Sequence, residues 1–101
     1  MFYVYILYSK SADRYYIGHT NDPDRRLEEH NTLIKNSYTF KYRPWISKAC
    51  FEVAEARGEA RKIESYLKRM KSRKLIEKLI SDPKEFDTII ELVRAIPTRR
   101  D

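Results

Sequence analysis

Hydrophobic and polar positions alternate between two periods along this chain. Residues 2–8, Phe-Tyr-Val-Tyr-Ile-Leu-Tyr, are aromatic or β-branched almost throughout, which predicts a strand covered on both faces. Residues 9–13 are polar and turn-like, and residues 14–20 resume strand character, so the two runs predict an antiparallel hairpin closed by five residues. Gly18 lies inside the second run; it marks a bulge or close approach of another group to the backbone, or else the end of the strand.

Asn21-Asp22-Pro23 then opens a helix, with Asp22 as N-cap and Pro23 at the first helical position, where a missing N–H costs nothing. Pro23, Leu27, His30 and Ile34 recur at helical spacing, and Arg26 lies one turn before His30, so those two side chains can reach one point. Residues 31–42 hold no sustained period and predict a helix end plus a loop. Lys35, Lys41 and Arg43 stand there among Tyr38, Phe40 and Tyr42, a mixture able to track a phosphate backbone and stack bases.

Pro44-Trp45 introduces a third strand over 46–53, expected to pair with the first. Beyond it Ala56, Ala60, Ile63, Leu67 and Met70 form one helical stripe. Ser72 caps a second helix with Leu75, Ile76, Leu79 and Ile80 on its buried face. Asp82-Pro83 repeats the earlier cap ahead of a last helix, whose apolar face is Phe86, Ile89, Ile90 and Val93 and which stops before Pro97. The order predicts one α+β domain over 1–96, a small sheet covered by helices, with a frayed tail over 97–101.

Composition narrows the partners. A net charge of +6 over 101 residues suits a polyanion such as nucleic acid, because clustered Lys and Arg release counterions on meeting phosphates. The single cysteine, Cys50, excludes an intramolecular disulfide and fits a reducing cytosol; its apolar neighbours predict a buried, inert thiol. No apolar run approaches the ~18 residues of a membrane span. With two glycines in total and no Walker loop, GxGxxG or Cys/His cluster, nucleotide cradles and zinc sites are poor readings.

Tyr3-Val4-Tyr5, Tyr16-Ile17-Gly18, the helix 24–31 and Glu64 followed by a basic stretch from Lys68 to Lys74 together resemble the GIY-YIG nuclease superfamily. The likeness covers roughly residues 1–80 and is greatest to the small single-domain branch related to the amino-terminal domain of the excision-repair endonuclease. Tyr3 departs from the pattern by standing where the family has glycine. The resemblance implies a three-stranded antiparallel sheet flanked by helices. It also implies hydrolysis of phosphodiester bonds in DNA, ahead of RNA, in branched or damaged structures during repair, with one Mg²⁺ or Mn²⁺ held by Glu64.

In that resemblance the catalytic set is Tyr5, Tyr16, Arg26, His30 and Glu64, and the substrate-binding set is His19, Asn31, Lys68, Arg69, Lys71, Arg73 and Lys74. The residue types suit the chemistry. A hard ion can keep most of its waters and take one carboxylate, a guanidinium can clamp a phosphate with two parallel bonds, and a phenol can orient or deprotonate water if its pKa falls from about 10. Without the resemblance, Tyr5 and Tyr16 are packed strand aromatics, Glu64 is an exposed partner of Lys68, and Arg26 and His30 are ordinary helix residues. Two rival functions remain open: a nucleic-acid-binding module without turnover, and an interaction domain that docks through the helix over 84–96.

Overall fold

The most apolar run of the chain becomes the middle strand of the sheet. In the computed structural model, which describes residues 1–33 and 38–96, β1 (Phe2–Ser9) lies between β2 (Arg14–Thr20) and β3 (Trp45–Ala54), antiparallel to both. The predicted face position Ile34, Lys35 of the basic and aromatic stretch, and the tail over 97–101 lie outside the described residues.

Both faces of β1 are buried, as its composition requires. Val4 and Ile6, with Ile17 of β2, pack against Ala60, Ile63 and Leu67 of α3 (Arg57–Met70), and this layer is completed by α4 (Arg73–Ser81) and α5 (Glu85–Ala95). Ile76 and Leu79 come from α4 and Phe86 and Ile89 from α5, with Phe86 stacked on Phe51 of β3 at 4.1 Å. Each such side chain stabilises the fold by roughly 1.5–3 kcal/mol when fully buried. The alternate residues Tyr5 and Leu7 face the other way, onto Trp45, Tyr16, Tyr42 and Leu27. Leu27 belongs to α1 (Pro23–Glu28), which a π-helical turn over Glu29–Leu33 extends. The sheet is therefore sandwiched, with a thick helical layer on one side and a short one on the other.

The caps fall where the polar residues place them. Asp22 accepts from Arg25 N at 3.2 Å and Ser72 accepts from Leu75 N at 3.1 Å. Asp82 differs: its own amide closes α4 on Lys78 O at 2.8 Å, and a turn through Pro83 delays α5 to Glu85. The stretch predicted as loop contains a short helix, α2 (Tyr38–Lys41).

Four further expectations are corrected. The hairpin loop is residues 10–13, because Ser9 pairs with Arg14 and Asp13 takes a left-handed φ of 53°. β3 starts one residue early, at Trp45. Ala56 and Met70 fall outside the buried stripe of α3, at its cap and in its last turn, and both are exposed. Cys50 is exposed, not buried, because it lines an open pocket of about 350 Å³ between β1, β3 and the first turns of α1, which no side chain fills. Among the described residues no helix is long and apolar enough to cross a membrane.

Candidate active site

Strand alternation and one glycine build the first half of the site. Tyr5 is paired with Gly18 across the β1–β2 ladder, and its ring lies over that glycine: a Cβ at position 18 would stand 2.5 Å from the ring Cζ, well inside contact distance. The absence of a side chain at 18 lets the phenol cross β2 and hydrogen-bond with His30 Nε2 at 2.9 Å. Tyr16, two residues before Gly18 and on the same face, presents its edge to the His30 ring, with centroids 4.9 Å apart, and backs onto buried Trp45.

The π-helical turn supplies His30. Its wider coil brings consecutive residues toward the sheet, so His30 meets Tyr5 while Asn31 grips the Trp45 backbone, accepting its N–H at 2.6 Å and donating to its carbonyl at 3.1 Å. The Asn31 amide is thus engaged within the fold. Arg26, a turn earlier, donates to Glu29 at 2.9 Å and faces the Tyr5 hydroxyl.

Burial governs the titration of both partners. It pushes the Tyr5 phenol above its usual range, outweighing the nearby Arg26 charge that pulls the other way. It lowers His30 to about 4, and Arg26 adds to that effect. His30 is 1% exposed, and its Nδ1 has no hydrogen-bond partner among the described residues.

The buried His30 imidazole makes stability depend on pH. With a folded pKa below the ordinary 6.5, the unfolded chain binds the extra proton first, so this contribution is intact above about pH 6.5 and is lost as pH falls toward 4. The loss approaches about 3 kcal/mol. Urea denaturation across that range should show it as the difference between the wild-type and His30→Gln profiles; parallel profiles would refute the assignment.

The second half comes from the opposite side of β2. His19, adjacent to Gly18 and so on the α3 face, meets Glu64 Oε1 through Nδ1 at 2.5 Å, while Lys68 Nζ donates to Glu64 Oε2 at 2.7 Å. Arg57 donates to His19 Nε2 at 3.3 Å. A guanidinium can only donate, so Nε2 accepts and the proton sits on Nδ1, where it is donated to Glu64. Lys68 joins the halves, since its ammonium lies 5.3 Å from the centroid of the Tyr16 ring. β2 is an edge strand, which is why helices from both layers can converge around it.

Of the residues singled out in the sequence, Tyr5, Tyr16, Arg26 and His30 gather on one side of that edge, and His19, Glu64 and Lys68 on the other. Arg73 is drawn away, bonded to Asp13 at 2.6 Å and to Glu77 at 3.1 Å. Arg69, Lys71 and Lys74 are exposed around the end of α3 and the first turn of α4. Arg57 escaped sequence reasoning: it is 38 positions from His19 and belongs to no local pattern.

The donor set also bears on a metal. Among the described residues no three His, Cys, Asp or Glu side chains cluster to hold an ion, which argues against a closed zinc-type cage. Glu64, with its side chain 17% exposed, fits a hard ion that takes one carboxylate and keeps its waters.

A family model described as the GIY-YIG catalytic domain matches residues 1–77. A UPF0213 protein of Listeria innocua is 40% identical over 75 residues, which is 74% of this chain and 81% of that protein. A second UPF0213 protein, from Listeria monocytogenes serotype 4b, is 44% identical over 64 residues, 63% of this chain and 70% of its own.

Proposed function

The chain belongs to the GIY-YIG nuclease family, and on that premise we propose that it is a divalent-metal-dependent endonuclease cleaving DNA, with branched or damaged duplexes as substrates. The observation that carries this reading is the meeting of the two half-sites at the edge of β2, bridged by Lys68 between Glu64 and Tyr16. GIY-YIG nucleases are generally divalent-metal dependent. Bound to Glu64, Mg²⁺ or Mn²⁺ would supply Lewis acidity to a phosphoryl oxygen and acidify a water.

The remaining roles follow from the chain's own groups. Arg26 clamps the scissile phosphate, staying charged throughout. Tyr16 offers a hydroxyl to the phosphate or to water. Tyr5 orients the nucleophilic water. A relay that hands the phenol proton to His30 is disfavoured: burial raises the phenol above its ordinary 10 and lowers the imidazole to about 4, so both partners favour their neutral forms. His30 is therefore a positioning residue for Tyr5, and His19, steadied by Arg57, positions Glu64.

One observation favours binding without turnover: both Glu64 oxygens already have partners within the chain. Incubating the protein with labelled duplex, nicked, flapped and single-stranded DNA, and with matching RNA, in Mg²⁺ or Mn²⁺ separates the two readings. Metal-dependent cleavage of DNA, strongest on interrupted duplexes, is expected. Salt-sensitive binding with no cleavage in either metal would overturn the nuclease reading, and preferential cleavage of the RNA set would overturn the choice of DNA.

A further inference from the structure

Beside the site, an open groove of about 350 Å³ runs between the β1–β2 hairpin and the corner joining α3 to α4. Four cations line it, Arg14, Lys68, Lys71 and Arg73, against one carboxylate, Asp13. Asp13 is already neutralised, accepting from Arg73 at 2.6 Å and from the Tyr8 hydroxyl at 2.6 Å, and these bonds hold its carboxyl below the usual range. Lys68 is likewise paired, with Glu64 at 2.7 Å, so the positive potential of this lining rests chiefly on Lys71 and on the guanidinium of Arg14. Tyr15 forms an aromatic wall, its ring tilted against that of Tyr8 with centroids 4.9 Å apart.

Two features give the groove a direction. Lys68 belongs both to it and to the Glu64 cluster, so groove and site are continuous. The clasp from Arg73 to Asp13 and Glu77 ties the hairpin loop to α4, fixing the separation of the walls. A positive channel with an aromatic side, opening from a phosphodiester-cleaving site, suits the sugar-phosphate backbone of a nucleic acid.

We infer that this groove holds the segment of nucleic-acid strand flanking the cleaved bond, with Arg14 and Lys71 contacting its phosphates. The inference rests on the nuclease reading only for the identity of the cleaved bond. It further divides the basic run by function: Lys71 faces the strand, Arg73 braces the walls, and Arg69 and Lys74 lie outside the lining.

The test is a binding measurement without chemistry. In EDTA, fluorescence anisotropy with a fluorescein-labelled 20-mer is recorded across a salt series for the full chain, for Arg14→Gln/Lys71→Gln, and for the charge-matched control Lys48→Gln/Arg94→Gln on exposed positions elsewhere. Losing two phosphate contacts should weaken binding by about tenfold or more at low salt and flatten the slope of log affinity against log salt by about 1.5. The control should shift less than about twofold.

Arg14 also lies over the Tyr42 ring, so Lys71→Gln alone, which leaves that contact intact, should flatten the slope by about half as much. Groove variants that match the control would overturn the inference. Because no metal is present, a failure of cleavage leaves this outcome readable, and cleavage that persists in groove variants with unchanged affinity places the strand elsewhere.

Discussion

Gly18→Ala will collapse the site and loosen the fold together. The alanine methyl must occupy space held by the Tyr5 phenol, 2.5 Å from Cζ, and that ring is not the free end of a flexible chain: it is buried and anchored to His30. Overpacking of this kind costs about 1–3 kcal/mol, which in a domain of this size lowers the melting temperature by roughly 5–15 °C. Displacing the hydroxyl by even about 1 Å should cost about 10²-fold in cleavage.

A double-mutant cycle isolates the cause. Tyr5→Leu in the Gly18→Ala background should recover part of the stability and none of the activity. Thermal unfolding that differs by less than about 0.5 kcal/mol between wild type and Gly18→Ala would show that the ring can move aside freely, against the packing described above.

Glu64→Gln should abolish turnover while leaving the fold intact, the opposite pairing of effects. The amide keeps its bond from His19, and the lost pair with Lys68, whose side chain is 48% exposed, contributes less than about 1 kcal/mol. Removal of the carboxylate charge should nonetheless reduce cleavage by about 10³-fold or more, with unchanged or tighter DNA binding in EDTA, since a negative charge near the phosphate is gone. Retention of more than a tenth of wild-type cleavage would remove Glu64 from the catalytic set.

These two variants mark what was legible in the sequence. Both tyrosine strands, the Asp22 and Ser72 caps and the α3 stripe through Ala60, Ile63 and Leu67 are encoded locally, by alternation, capping chemistry and helical spacing, and the structure follows them. The encounter of Arg26 with Tyr5 and His30 was foreseeable in part, because Arg26 and His30 are one turn apart. Gly18 carried a signal too, although only the cross-strand register with Tyr5 reveals which group approaches it.

What stayed hidden depends on tertiary reach. The exposure of Cys50 reflects the open pocket between α1 and the sheet, not the apolar letters around the thiol. The engagement of Asn31 with Trp45 depends on the π-helical turn, which has no periodic signature in five residues. The pairing of Arg57 with His19 and the clasp of Arg73 on Asp13 join positions 38 and 60 residues apart, where pattern gives no guidance.

The Lys68 ammonium on Glu64 has a consequence for the resting protein. A partly shielded carboxylate without a counter-charge would strain the empty protein and make folding depend on its ion, as it does in zinc fingers. Here the chain carries its own counter-charge in α3, so the scaffold is complete before any ion arrives. On the metal-dependent reading proposed above, synthesis and activation are uncoupled: the protein should fold and purify under chelation, the divalent ion being the last component added.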